Sequence, residues 1–164
     1  MYTKVFNRAW YFLLDALFPK RCVTCKKFGV FLCAECAGKV ERLSTSVCYE
    51  CGRITQHSSY CSVCKNRKLL KLNGIIVSAK YESPVKELVA GLKYGGYIEI
   101  SELLGELIVQ RLLNSDIKFE KAVFVPVPLH RSRELVRGFN QSELIARYIS
   151  KKLNLPGGDA LKKN

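Results

Sequence analysis

Eight cysteines, all of them in four C-x-x-C pairs, limit what this chain can fold into more than any other feature. The pairs are Cys22/Cys25, Cys33/Cys36, Cys48/Cys51 and Cys61/Cys64. Two residues between thiols let a tight turn aim both sulfurs at one tetrahedral metal, and two such knuckles complete a four-cysteine site. A disulfide framework belongs to secreted chains. A redox C-x-x-C is expected once, near a βαβ unit, not four times in succession. Iron in a four-thiolate site is the alternative metal, and zinc is the expected one. The short inner loops favour sequential pairing, Cys22-Cys25-Cys33-Cys36 and Cys48-Cys51-Cys61-Cys64. A cross-braced pairing of first with third and second with fourth is the alternative. CVTCKKFGVFLCAEC and CYECGRITQHSSYCSVC resemble each other loosely, which points to an internal duplication.

Sites of this kind are structural. The segment has few large apolar side chains, so metal binding must supply folding free energy that burial cannot. Four thiolates leave no open coordination position, which argues against catalysis at the metal. Charge adds a second constraint. The formal net charge of the 164 residues is +13, with 13 basic and 4 acidic side chains in residues 1–71. Two zinc-loaded four-thiolate sites, each contributing about −2, would lower the total to about +9. The balance still favours a polyanion, although basic charge alone is not specific. Lys26, Lys27, Arg53, Lys65, Arg67 and Lys68 line or follow the knuckles. With Phe28, Phe31, Tyr49 and Tyr60 they are candidate contacts to single-stranded nucleic acid, through charge and base stacking. The competing reading has the aromatics filling a thin core.

Residues 1–19 carry Val5, Phe6, Ala9, Trp10, Leu13 and Leu17 at helical spacing and end at Pro19. Asp15 interrupts the apolar run and no small-x-small site follows, so the segment does not read as an export signal. It is too short to span a bilayer. An amphipathic helix packed on the protein is expected, with weak contact to a membrane surface as the alternative. The expected location is the cytoplasm.

From residue 72 the pattern changes to α/β. Gly74 to Tyr81 reads as a strand, and Ser83-Pro84 reads as the start of a helix with Val85, Leu88, Val89 and Leu92 buried. A second helix runs to Leu113 with Leu103, Leu104, Leu107, Ile108 and Leu112 inward. Ala122 to Val127 is apolar without alternation, which predicts a strand buried on both faces of a parallel sheet. A loop with Arg131, Arg133 and Arg137 follows, and Gly138-Phe139-Asn140 opens a helix capped by Asn140 and Glu143 and reaching about Leu153. Strand, basic loop and helix start form a candidate anion site, because helix-start amides are unpaired and guanidiniums bind two oxygens at once. Only two strands are evident, so the sheet is expected to be incomplete.

The leader ending Leu17-Phe18-Pro19, the cysteine knuckles, Leu92-Lys93-Tyr94 and above all VPVPLHRSRELVRGFNQSELIA (Val125 to Ala146) resemble the ComF family. That family comprises phosphoribosyltransferase-like proteins connected with bacterial DNA uptake. The resemblance implies a zinc-ribbon module over residues 1–71 and the amino-terminal portion of a type I phosphoribosyltransferase-like domain over residues 72–164. It also makes Leu129 to Gly138 a pyrophosphate loop, with Arg131, Arg133, Arg137 and Gly138 as anion-binding candidates. Phosphoribosyl pyrophosphate and Mg²⁺ are implied by the resemblance alone, and Lys93 falls in a family-like motif without an assigned role. Family enzymes also carry a later strand ending in two adjacent acidic residues, and no Asp-Asp or Asp-Glu pair occurs here. The sequence is therefore expected to be truncated before that loop and inactive by itself. Three functions compete: an accessory factor for single-stranded DNA uptake beside a helicase-type partner, the front part of a phosphoribosyltransferase, or a zinc-ribbon interaction module on a degenerate α/β remnant.

Overall fold

The computed structural model describes residues 19–44, 46–48, 50–55, 60–65, 75–115, 119 and 121–157. The amphipathic helix expected over residues 1–19 lies outside the described residues up to Phe18, as do Tyr49, Arg67 and Lys68. The elements are α1 (Ala34–Ala37), β1 (Ser46–Val47), β2 (Ile54–Thr55), α2 (Val85–Tyr94), α3 (Ile100–Leu113), α4 (Arg131–Arg137) and α5 (Gln141–Leu153).

Two apolar clusters hold the helices. Leu88 and Leu92 of α2 meet Ile100 and Leu104 of α3, and Phe139, Leu144 and Ile145 pack against them. Val109 and Leu112 of α3 meet Ile149 of α5, with Phe124, Ile145, Tyr148 and Leu153 alongside. Ile145 touches both clusters and joins them. Each fully buried leucine contributes about 2 kcal/mol of transfer free energy. Close helix contact depends on two glycines. A Cβ at Gly105 would lie 2.5 Å from Tyr148 Cδ1, and one at Gly91 would lie 2.9 Å from Ile100 Cδ1. Tyr148 donates to Glu106 Oε2 at 2.9 Å, which pins its ring over Gly105.

The first cluster also takes in Val23, Phe31 and Leu32, which belong to the cysteine-rich half. Phe31 stacks obliquely on Tyr97, with ring centroids 4.9 Å apart. Lys20 pairs with Glu99 at 3.4 Å. Residues 41–43 run antiparallel to 78–80, through Leu43 N to Ser78 O (3.0 Å) and Lys80 N to Glu41 O (3.0 Å). The strand expected over 74–81 is thus reduced to one bridge, Arg42 to Ala79.

Several local expectations change. Pro84 occupies the N-cap position of α2, and Ser83 does not cap it. The expected basic loop is the short helix α4, which His130 caps by accepting from Ser132 N and which ends at Gly138 in the left-handed region (φ 81°). Asn140 does cap α5, its side chain accepting from Ser142 N at 3.0 Å, while Glu143 turns to Arg147 and does not close a capping box. Burial along 122–127 alternates: Ala122, Phe124 and Pro126 face inward, and Val123, Val125 and Val127 are exposed. A continuous apolar run therefore has one covered face in this chain, not two. A parallel sheet is not seen among the described residues. The only ladder among them is the two-residue antiparallel pair β1–β2. One isolated parallel bridge, Phe124 to Gly157, spans α4 and α5.

Candidate metal centres and anion site

The eight thiols gather into two sets in sequential order, Cys22-Cys25-Cys33-Cys36 and Cys48-Cys51-Cys61-Cys64, with all sulfurs of a set within 4.8 Å of one another. Tetrahedral zinc with Zn–S bonds of about 2.3 Å requires S–S separations of about 3.8 Å. Cys25 and Cys33 lie 3.5 Å apart and Cys51 and Cys61 3.8 Å apart, sulfur to sulfur, so both donor sets fit such an ion. In each set the second cysteine is exposed and the other three are buried.

The two ribbons share their backbone bonds. Cys22 N donates to Lys27 O and Lys26 N to Cys22 O; Cys48 N donates to Arg53 O and Gly52 N to Cys48 O. Likewise Ala37 N donates to Cys33 O and Lys65 N to Cys61 O. The loose sequence repeat is thus a repeat of hydrogen bonding. Electrostatics repeat as well. Burial pushes the Cys22 thiol up, but amide donors from Cys33, Cys25 and Thr24 outweigh it and bring the pKa to about 6. Amides of Cys61, Cys51 and Glu50 bring Cys48 to about 6 against its burial. The last cysteine of each set moves the other way. Burial and the neighbouring sulfurs push Cys36 up to about 12, and hydrogen bonding to Cys61 with burial does the same for Cys64. In each cluster the first cysteine gives up its proton readily and the last holds its own until a cation replaces it. In the second cluster the Cys64 amide lowers Cys61 as well.

The candidate nucleic-acid residues that are described, Lys26, Lys27, Arg53 and Lys65, are all exposed beside the knuckles. Lys26 is partly engaged, since its Nζ donates to Val23 O at 2.8 Å. Phe28 is exposed under the Arg21 guanidinium, 4.3 Å from the ring centroid, whereas Phe31 and Tyr60 are packed inward.

The three arginines of the candidate anion site separate. A cavity of about 760 Å³ is lined by Lys93, Tyr94, Gly95 and Gly96 on one side and Ser132, Arg133, Val136 and Arg137 on the other. A second, of about 590 Å³, lies at the carboxyl end of the 122–127 segment against Pro128, His130, Arg133, Gln141 and Ser142. Arg133 lines both, Arg137 the first only, and Arg131 neither. Gly138 supplies the turn between α4 and α5 and lines neither. Arg137 Nη1 donates to Gln141 Oε1, and its guanidinium lies 5.8 Å from the Tyr94 ring centroid. Lys93 thus lies on the wall of the first cavity, facing Arg133 and Arg137. The sequence signal for it is its position just ahead of Gly95-Gly96, where the chain must bend (Gly96 φ 70°).

Residues 13–65 match the double zinc ribbon domain. Competence protein F of Haemophilus influenzae is 25% identical over 150 residues, covering 85% of this chain and 63% of that protein. Competence protein ComFC of Bacillus subtilis is 26% identical over 132 residues (76% of this chain, 54% of that protein). DNA utilization protein YhgH of Salmonella typhimurium is 31% identical over 124 residues (73% and 53%). The chain belongs to the ComF family. It spans about half to three-fifths of the length of these ComF-family relatives. No solved structure matches it.

Among the described residues, neither cavity is lined by a carboxylate. The cations that line them, Lys93, Arg133 and Arg137, are a donor set for an anion. No helix among the described residues is long and apolar enough to cross a membrane.

Proposed function

We propose that this ComF-family chain is an accessory factor that handles single-stranded DNA during DNA uptake, beside a helicase-type partner. All eight cysteines ligate two zinc ions, and these hold the basic knuckles open to solvent. Arg133, which lines both cavities, is the centre of the anion site. The observation that carries this reading is a cationic surface with structural metal clusters and, among the described residues, no catalytic carboxylate at either cavity. The names of the relatives support its biological setting.

A second reading, phosphoribosyl transfer to an acceptor, draws on one feature. The Phe124–Gly157 bridge across α4 and α5 is the start of a parallel crossover, and α/β proteins bind ligands at the carboxyl end of such strands. On that reading the anion is a diphosphate.

Titration with single-stranded DNA at two salt concentrations tests the first reading. Neutralising several phosphates should lower affinity by about 10-fold or more between 50 and 200 mM salt. An affinity that does not change with salt would overturn it. Tight binding of phosphoribosyl pyrophosphate with Mg²⁺, and none of DNA, would favour the second.

A further inference from the structure

The larger cavity has walls that a bare phosphate does not need. Tyr94, the last residue of α2, is 82% exposed, and Val136 on the facing helix is 91% exposed. Earlier on α2, Leu88 and Leu92 are wholly buried, so the helix does not lack apolar cover along its length. Between Tyr94 and Val136 lie three cations, Lys93, Arg133 and Arg137, and no acidic residue among those described lines the space. Arg137 is held in place from both directions, by its bond to Gln141 and by the Tyr94 ring. Gly96 at φ 70° turns the chain away and leaves nothing within 4 Å of where a Cβ would sit, which keeps one edge of the cavity open.

We propose that this cavity binds one nucleotide unit, with its base against Tyr94 and Val136 and its phosphate among Lys93, Arg133 and Arg137. An inorganic anion would be served by the cations alone, and an apolar ligand would gain nothing from them. A ligand with a planar π-face and an adjoining negative charge uses both. Stacking of bases on aromatic side chains beside arginine is a sequence-tolerant way to hold a single strand. The volume of about 760 Å³ falls in the range of small-ligand sites. The inference rests on the DNA-handling reading and names the place on the fold where a strand is held.

The experiment compares the whole chain with Tyr94→Ala, Tyr94→Phe and Arg133→Ala, using a labelled oligothymidylate and an abasic strand of equal length. Tyr94→Ala should weaken oligothymidylate about 10-fold, and Tyr94→Phe should restore it. Tyr94→Phe should bind the abasic strand as the unchanged protein does. Tyr94→Ala, which also frees Arg137 from the ring, should weaken the abasic strand less than it weakens oligothymidylate. Arg133→Ala should weaken both strands. Tyr94 is exposed, so the variants should keep the unchanged protein's thermal transition. If Tyr94→Ala binds oligothymidylate normally while Arg133→Ala does not, the base site is overturned and DNA handling stands. If the unchanged protein binds neither strand, the underlying reading fails. Thymidine monophosphate that displaces the strand at equal nucleotide concentration would make the free nucleotide the occupant. Failure to displace would make it the strand.

Discussion

Ribbon one (Cys22 to Cys36) and ribbon two (Cys48 to Cys64) repeat the same knuckle hydrogen bonds, with the first cysteine of each set lowered in pKa and the last raised, yet they are attached differently. Ribbon one sends Val23, Phe31 and Leu32 into the cluster around Leu88, Leu92 and Ile100. Ribbon two has a small core of its own, and among the described residues its buried cluster is Cys48, Tyr60, Cys61 and Cys64. Its Ile54 and Val63 face solvent. One ribbon is therefore part of the helical body, and among the described residues the other is held by its own cysteine cluster. The lesson is that a metal cluster can be a local staple or a piece of the main core, depending on the three or four apolar residues its loop carries.

Breaking one ligand in each ribbon gives the largest contrast. The unchanged chain should carry about two zinc ions, and Cys22→Ser and Cys48→Ser about one each. Zinc-ribbon folds draw most of their stability from the ion. Cys22→Ser should therefore loosen Val23, Phe31 and Leu32 and lower the melting temperature of the helices, at a cost of several kcal/mol. Cys48→Ser should leave the helical transition within about 0.5 kcal/mol of its original value. Far-ultraviolet circular dichroism with metal analysis reads both. Equal loss of helical stability in the two variants would erase the distinction.

Much of this contrast was out of reach of the sequence. The cysteine spacing pointed to the two clusters, because C-x-x-C acts locally and the short inner loops favour sequential closure over a cross-braced one. Helices α2, α3 and α5 followed from apolar periodicity and Asn140. Which loop residues dock on a distant helix is a tertiary fact, and nothing in CVTCKKFGVFLCAEC distinguishes Phe31, packed on Tyr97, from Phe28, left open beneath Arg21. The run 122–127 misled for a related reason. Val123, Val125 and Val127 have the composition of a strand covered on both sides, but here only the alternate residues are covered. In the anion site, arginines at 131, 133 and 137 looked like one loop. Helix α4 turns them through different directions and separates Arg131 from the other two.

The helical half, which shares its core with ribbon one, is also sensitive to close packing between its own helices. Gly105 on α3 lies under the Tyr148 ring, where an added Cβ would come within 2.5 Å of Cδ1 and 3.1 Å of Cγ. The ring cannot swing aside cheaply, because its hydroxyl is bonded to Glu106. Alanine improves helix propensity by about 1 kcal/mol, while overpacking costs about 1–3 kcal/mol. Gly105→Ala should thus be net destabilising by about 1 kcal/mol, with zinc content unchanged. A rise in melting temperature would mean that α3 and α5 can separate more freely than the contact suggests.

The smallest effect tests whether the two ribbons really share one backbone. Equivalent knuckle positions hold Lys26 at φ 64° and Gly52 at φ 69°, both left-handed. A side chain in that region costs about 1 kcal/mol. Ribbon one tolerates Lys26, whose Nζ bonds Val23 O and whose loop is anchored on the helices. No such anchorage on the helices is seen for ribbon two among the described residues, so its closure and its metal site should feel the same strain directly. Gly52→Ala should weaken one of the two zinc sites by about fivefold in a chelator competition, and Lys26→Gly should not weaken the other. If both substitutions leave zinc affinity unaltered, the knuckle conformation is not coupled to the metal, and the repeat is one of shape alone.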